Sequence, residues 1–159
     1  MTFRELTRKK QQLTAEECAA VLKNEKRGVL SVLGDNGYPY GVPLNHYYNE
    51  ADGRLYFHCG KTGHKIDALR RCEKASFCVY GEGRPEPGGW ALRFQSVIVF
   101  GRIEFIENRD TVYEISAKLS RKFTGDEAYI REEIEKFGPA TQMFALIPEH
   151  VTGKRVTES

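Results

Sequence analysis

The chain has 159 residues, 24 of them Lys or Arg and 22 Asp or Glu, for a formal net charge of +2, and 40% are hydrophobic. That length buries a core without disulfide or metal staples and predicts a single domain over 1–159. The small and well-mixed charge gives no basic face for nucleic acid and no charged tail.

The first residues, MTFRELTRKKQQL, carry no signal-peptide core, and no later stretch is long and apolar enough to span a membrane, so a cytoplasmic protein that meets neither membrane nor nucleic acid is expected. Thr14 with Glu17 forms a capping box, and Cys18, Val21 and Leu22 share one helical face, which predicts a first helix over about 15–26. A hairpin-rich stretch follows: GVLSVL, the turn GDNGYP, PYGVPLNHYYN as one strand, the turn EADG, and RLYFHC; short spacings of this kind predict antiparallel pairing. HKIDALRRC fits two helical turns, KASFCVYGE a fourth strand and QSVIVFGRIEFIE a long fifth.

In that fifth strand Val97, Val99, Ile103 and Phe105 lie on one face and Ile98, Phe100 and Ile106 on the other. Apolar residues on both faces of an antiparallel strand predict a barrel wall that also meets a helix or a second subunit. The intervening GEGRPEPGGWAL, with the only tryptophan, reads as a loop. Val112, Ile115, Leu119 and Phe123 form a helical stripe over 109–123, and Asp126 caps a helix bearing Ile130, Ile134 and Phe137. The strand QMFALIPEHV then leads to a polar tail from about 152. Cys18, Cys59, Cys72 and Cys78 contain no CxxC pair and read as reduced packing residues, with no metal site expected.

Residues 57–65, FHCGKTGHK, end in the letters of a triphosphate loop, but such a loop needs a glycine five residues before its GK pair, and Leu55 stands there. What remains is a smaller anion site made of a Gly-containing loop, basic side chains and the amides that open the next helix. Lys65 lies in the first turn of that helix, where positive charge and helix dipole add. His58 points to the strand face opposite Phe57 and so turns away from the core, and Ser96 opens the fifth strand.

The segments GYPYGVPLN, YFHCGKTGHK, SVIVFG and EHVTGK, in this order across residues 14–154, resemble the flavin-binding split barrels related to pyridoxamine 5'-phosphate oxidase, and among them the nitroimidazole-reductase-like branch. The resemblance implies a mainly β fold with peripheral helices (α+β), an FMN-binding split β-barrel. It implies that His58, His64 and Lys65 hold the phosphate region of FMN and Ser96 adds a hydroxyl. His64 stands where the oxidases carry arginine. Val42, Pro43, Leu44 and Asn45 are implied to pass along the isoalloxazine edge, with Pro43 marking an irregular or edge strand, and His46 and Trp90 to line the substrate side.

The ending EHVTGKRVTES differs from the one with which those oxidases read a pyridoxal substrate, so oxidase activity on that substrate is not expected. The function implied is an FMN-dependent reductase taking electrons from NADH or NADPH and passing them to a small electron-poor acceptor. The alternatives are a flavin-binding carrier or sensor without turnover, or a barrel holding haem or a deazaflavin. The resemblance further implies a homodimer with two flavin sites at its interface.

Overall fold

A computed structural model describes residues 1–158. Thr14 accepts from the Glu17 amide and Glu17 in turn accepts from the Thr14 amide, so the predicted capping box opens α1, Ala15–Asn24, whose buried face is Cys18, Val21 and Leu22. The chain continues through β1 (Arg27–Leu33), β2 (Pro39–Asn45), β3 (Tyr47–Asn49), β4 (Arg54–Gly60), α2 (His64–Arg71), β5 (Lys74–Tyr80), β6 (Arg84–Pro85), β7 (Leu92–Ile106), α3 (Arg109–Ser120), α4 (Glu127–Phe137) and β8 (Thr141–Thr157). All strand pairs are antiparallel and follow the order β2-β1-β5-β7-β8-β4-β3, with β6 folded back on β7. The sheet curls until β2 approaches β4, giving the expected split barrel.

Its interior is filled by the alternate residues that the strand patterns set inward, with Leu30, Phe57, Phe77, Val79, Val97, Val99, Phe144 and Leu146 fully buried. β7 pairs with β8 from Arg93↔Thr157 to Ile106↔Met143, and the register shifts between Phe100 and Gly101. At that bend a Cβ on Gly101 would stand 2.2 Å from the Ile147 carbonyl oxygen, so the two backbones meet where only glycine fits.

Three expectations are corrected. The segment from Pro39 to Asn49 is two strands, β2 and β3, interrupted at His46. Residues 81–92 include a short hairpin, because β6 pairs with the start of β7. The expected polar tail is the second half of β8, which continues to Thr157 because β7 extends back to Leu92 and supplies a partner for it.

His46 itself is fully buried, which removes it from any open substrate side. Its ring meets the Phe77 edge at a centroid distance of 5.0 Å. Nε2 lies 2.6 Å from the Leu22 carbonyl oxygen and therefore carries the proton, while Nδ1 is buried without a partner. Burial, then the Lys122 ammonium, pull its pKa from 6.5 to about 4. Lys122 donates to the backbone carbonyls of Glu25 and His46 at 2.8 and 2.6 Å, tying the end of α3 to the end of α1.

A histidine kept neutral in the fold and protonated in the unfolded chain destabilises the fold as pH drops. Its contribution is present above pH 6.5 and is lost progressively as pH falls towards 4. The full loss is on the order of 3 kcal/mol. Urea unfolding across this range is expected to show a steeper fall in the wild type than in His46→Gln, by up to about 1.4 kcal/mol per pH unit; equal slopes would place the proton uptake elsewhere.

Candidate functional site

β4 ends at Gly60, and the bend after it delivers the chain to α2 through Gly63, whose φ of +132° and ψ of 169° suit glycine alone. Gly63 is the N-cap, so no side chain closes the start of α2. The first amides of the helix are thus left for water or a ligand, next to Lys65. Ile66, Ala68 and Leu69 are buried and anchor the helix on the end of the barrel, which fixes the position of its first turn.

His64 is held from two sides. Its ring stacks on Tyr40 at 4.1 Å between centroids, and its Nε2 accepts from the Asp35 amide at 3.2 Å. With Nε2 engaged by the Asp35 amide, Nδ1 is the ring nitrogen left to donate to an anion. Asp35 is kept in place by Arg71 at 2.8 Å. Gly34 makes room for this arrangement, since a Cβ there would lie 3.2 Å from His64 Nε2 and 2.9 Å from Tyr40 Cβ.

Lys65 extends beside Cys59. Burial pushes the Cys59 thiol up, and the Lys65 ammonium pulls it the other way. Because Cys59 packs against the barrel core, Lys65 is on the interior side of β4. His58, one residue earlier, points from the opposite side of the strand into a cavity beneath α3 and α4. The structure therefore brings His64 and Lys65 together and sets His58 apart from them.

Along β2, Val42 and Leu44 turn into the core and Pro43 turns out. β2 is the first strand of the sheet, and β1 is its only ladder partner among the described residues. The N–H and C=O groups of its free edge can bond a planar heterocycle, and the edge position accommodates Pro43 as expected. Tyr40, at the His64 end of β2, belongs to the row Tyr40–Val32–Ala75–Gly101. Ser96 is five residues from Gly101 along β7, on the order of 17 Å, and pairs with Tyr80 and Lys154. Within one chain Ser96 and the Lys65 end thus lie at different levels of the barrel wall. Trp90, 81% exposed, is in the hairpin loop at the Ser96 end.

Between these ends runs an outward face that sequence reasoning foresaw only in part. Its rows are Pro43–Val29–Cys78–Ile98–Thr152 and Gly41–Ser31–Ser76–Phe100–His150, and they contain no Asp, Glu, Lys or Arg. Ile98 is 40% and Phe100 41% exposed. α3 covers Ile106 at the far end of β7, packing Val112 and Ile115 there, and leaves Ile98 and Phe100 uncovered. Phe3 leans on part of this face, stacked on His150 at 4.9 Å and on Phe100 at 5.9 Å.

The family profile of pyridoxamine 5'-phosphate oxidase matches residues 14–155, nearly the whole domain. The chain belongs to this family. No curated protein shows significant sequence similarity to it. Among solved structures, the chain is similar to a putative 5-nitroimidazole antibiotic resistance protein from Bacteroides thetaiotaomicron, with 20% identity, TM-score 0.76, and 92% of this chain and 87% of that one covered. It is similar to an FAD-binding protein from Mesorhizobium loti at 25% identity and TM-score 0.66, covering 92% and 97%. A third is an FAD and heme binding protein from Mycobacterium smegmatis, at 22% identity and TM-score 0.72, covering 91% and 72%. These likenesses establish the split-barrel fold. No helix among the described residues is long and apolar enough to cross a membrane.

Proposed function

We propose that the chain binds FMN and acts as a reductase, taking electrons from NADH or NADPH and delivering them to a small electron-poor acceptor. The observation that carries this reading is the uncapped start of α2 with Lys65 in its first turn, placed at the same end of the barrel as the free edge of β2. One phosphate fits the first feature and the pyrimidine side of a flavin the second. Two split-barrel relatives described as FAD-binding support a flavin as the occupant. A site with one anion-binding helix start favours the monophosphate.

In this reading the Lys65 ammonium and the His64 Nδ1–H donate to the phosphate, with the first amides of α2 behind them. The backbone of Val42–Asn45 orients the ring. Bound there, the flavin supplies hydride acceptance and onward electron transfer, and the protein's part is to position it and exclude water. The buried position of His46 leaves it no part in proton transfer at the site.

The reading includes a homodimer formed through the charge-free face of β1, β2, β5, β7 and β8. An exposed apolar patch of this kind is an aggregation liability unless a partner covers it. In this reading Ser96 of the partner subunit reaches the phosphate across the interface, joining two groups that one chain keeps apart. Trp90 would approach the site from the same direction.

Titration of FMN by flavin fluorescence is expected to show Lys65→Ala weakening binding by at least about tenfold, the loss of one charge-assisted bond of about 1.5–3 kcal/mol. Lys61→Ala, in the loop before the helix, is expected to change it less than about twofold, since an exposed lysine that forms no ion pair among the described residues contributes little. Equal losses would misplace the phosphate, and failure of NADH and NADPH to bleach the bound flavin anaerobically would leave a carrier in place of a reductase.

Sedimentation is expected to give two chains per particle for the wild type and single chains with lost flavin for Phe100→Glu; a flavin-retaining monomer would contradict the shared site.

A further inference from the structure

The cavity into which His58 points lies outside the proposed flavin site and serves none of its chemistry. It occupies about 260 Å³ between the ends of β4 and β8 and the α3–α4 hairpin. For scale, an apolar cavity of about 150 Å³ admits benzene. Its wall is amphipathic. Ser116 is buried at its base, Ile130 and Ile134 form one side, and Phe123, Tyr129 and Phe137 surround it while remaining 41%, 53% and 50% exposed. Three aromatic rings left half in solvent around one small cavity are costly unless something covers them.

Glu133 is the only Asp, Glu, Lys or Arg that lines the cavity, and no ion pair neutralises it among the described residues. His58, exposed on the strand side of the cavity, has its pKa pulled below 6.5 by partial burial, which disfavours the charged ring and so lessens repulsion of a cation. The rings suit the same charge. Lys26 already stands over Phe123 at 5.4 Å and Lys136 over Phe137 at 5.1 Å, and neither lysine lines the cavity.

We propose that this cavity is a second binding site, for a small organic ammonium compound whose apolar or aromatic body packs among Phe123, Ile134 and Phe137 and whose cationic head pairs with Glu133. The His58 ring and the Ser116 hydroxyl then accept or share the remaining N–H donors of the head group. Anionic ligands are disfavoured here by the unpaired carboxylate, in contrast to the anion site at the start of α2.

The test compares benzylamine, benzyl alcohol and benzoate, three probes of one shape and three charges, by amide chemical-shift titration of the full-length protein. Benzylamine is expected to shift the amides of Ser116, Ser120 and Ile134 and to bind at least fivefold more tightly than benzyl alcohol, with benzoate weakest. Glu133→Gln is expected to abolish the preference for benzylamine over benzyl alcohol. His58→Lys, which introduces a positive charge from the strand side and leaves both helices unaltered, is expected to abolish benzylamine binding. Benzoate binding as tightly as benzylamine, a preference that survives Glu133→Gln, or shifts confined to residues outside the cavity would each overturn the proposal.

Discussion

The long ladder between β7 and β8, bent at Gly101, is the constraint on which the rest of this structure depends. Gly101 lets the two backbones touch at the bend, and the bend divides each strand into two working halves. On one side, β7 and β8 join β5, β1 and β2 in an open, charge-free face. On the other, Ile106, Met143 and Ala145 pack with Val112 and Ile115 of α3. A larger residue at 101 would have to separate the strands, and both halves would lose their register together.

The same division explains the distribution of chemistry. The end of the barrel at Tyr40, Val32 and Ala75 carries the start of α2, with His64 fixed by Tyr40 and Asp35 and with Lys65 beside Cys59. The opposite end carries Ser96, the hairpin and Trp90. The α3–α4 flank carries the cavity at His58. Three environments on one small domain arise because adjacent residues of β4, His58 and Cys59, point to opposite sides of a strand that borders two of them.

Much of this was legible in the sequence because the signals were local. The capping box at Thr14, the turn at Gly34–Tyr38, the two-sided apolar pattern of β7 and the helix start at His64 each follow from neighbouring residues. What escaped depends on contacts distant in sequence. His46 sits in a run that reads as a strand, and only the Leu22 carbonyl and Phe77, far along the chain, make it a core residue. The polarity of residues 152–157 suggested a free tail, whereas an edge-facing strand tolerates polar residues when β7 extends to meet it. The expected convergence of His58, Lys65 and Ser96 follows from motif order, which carries no information about what the outward face of β4 meets or which end of β7 Ser96 occupies.

The central claim is that the start of α2 holds the phosphate of a flavin mononucleotide. Its most direct measurement is a paired titration of the flavin-free protein with FMN and with riboflavin under identical conditions. The two ligands differ only in the phosphate. A charge-assisted phosphate site predicts saturation at one FMN per chain with riboflavin weaker by at least about tenfold; equal affinities would contradict it.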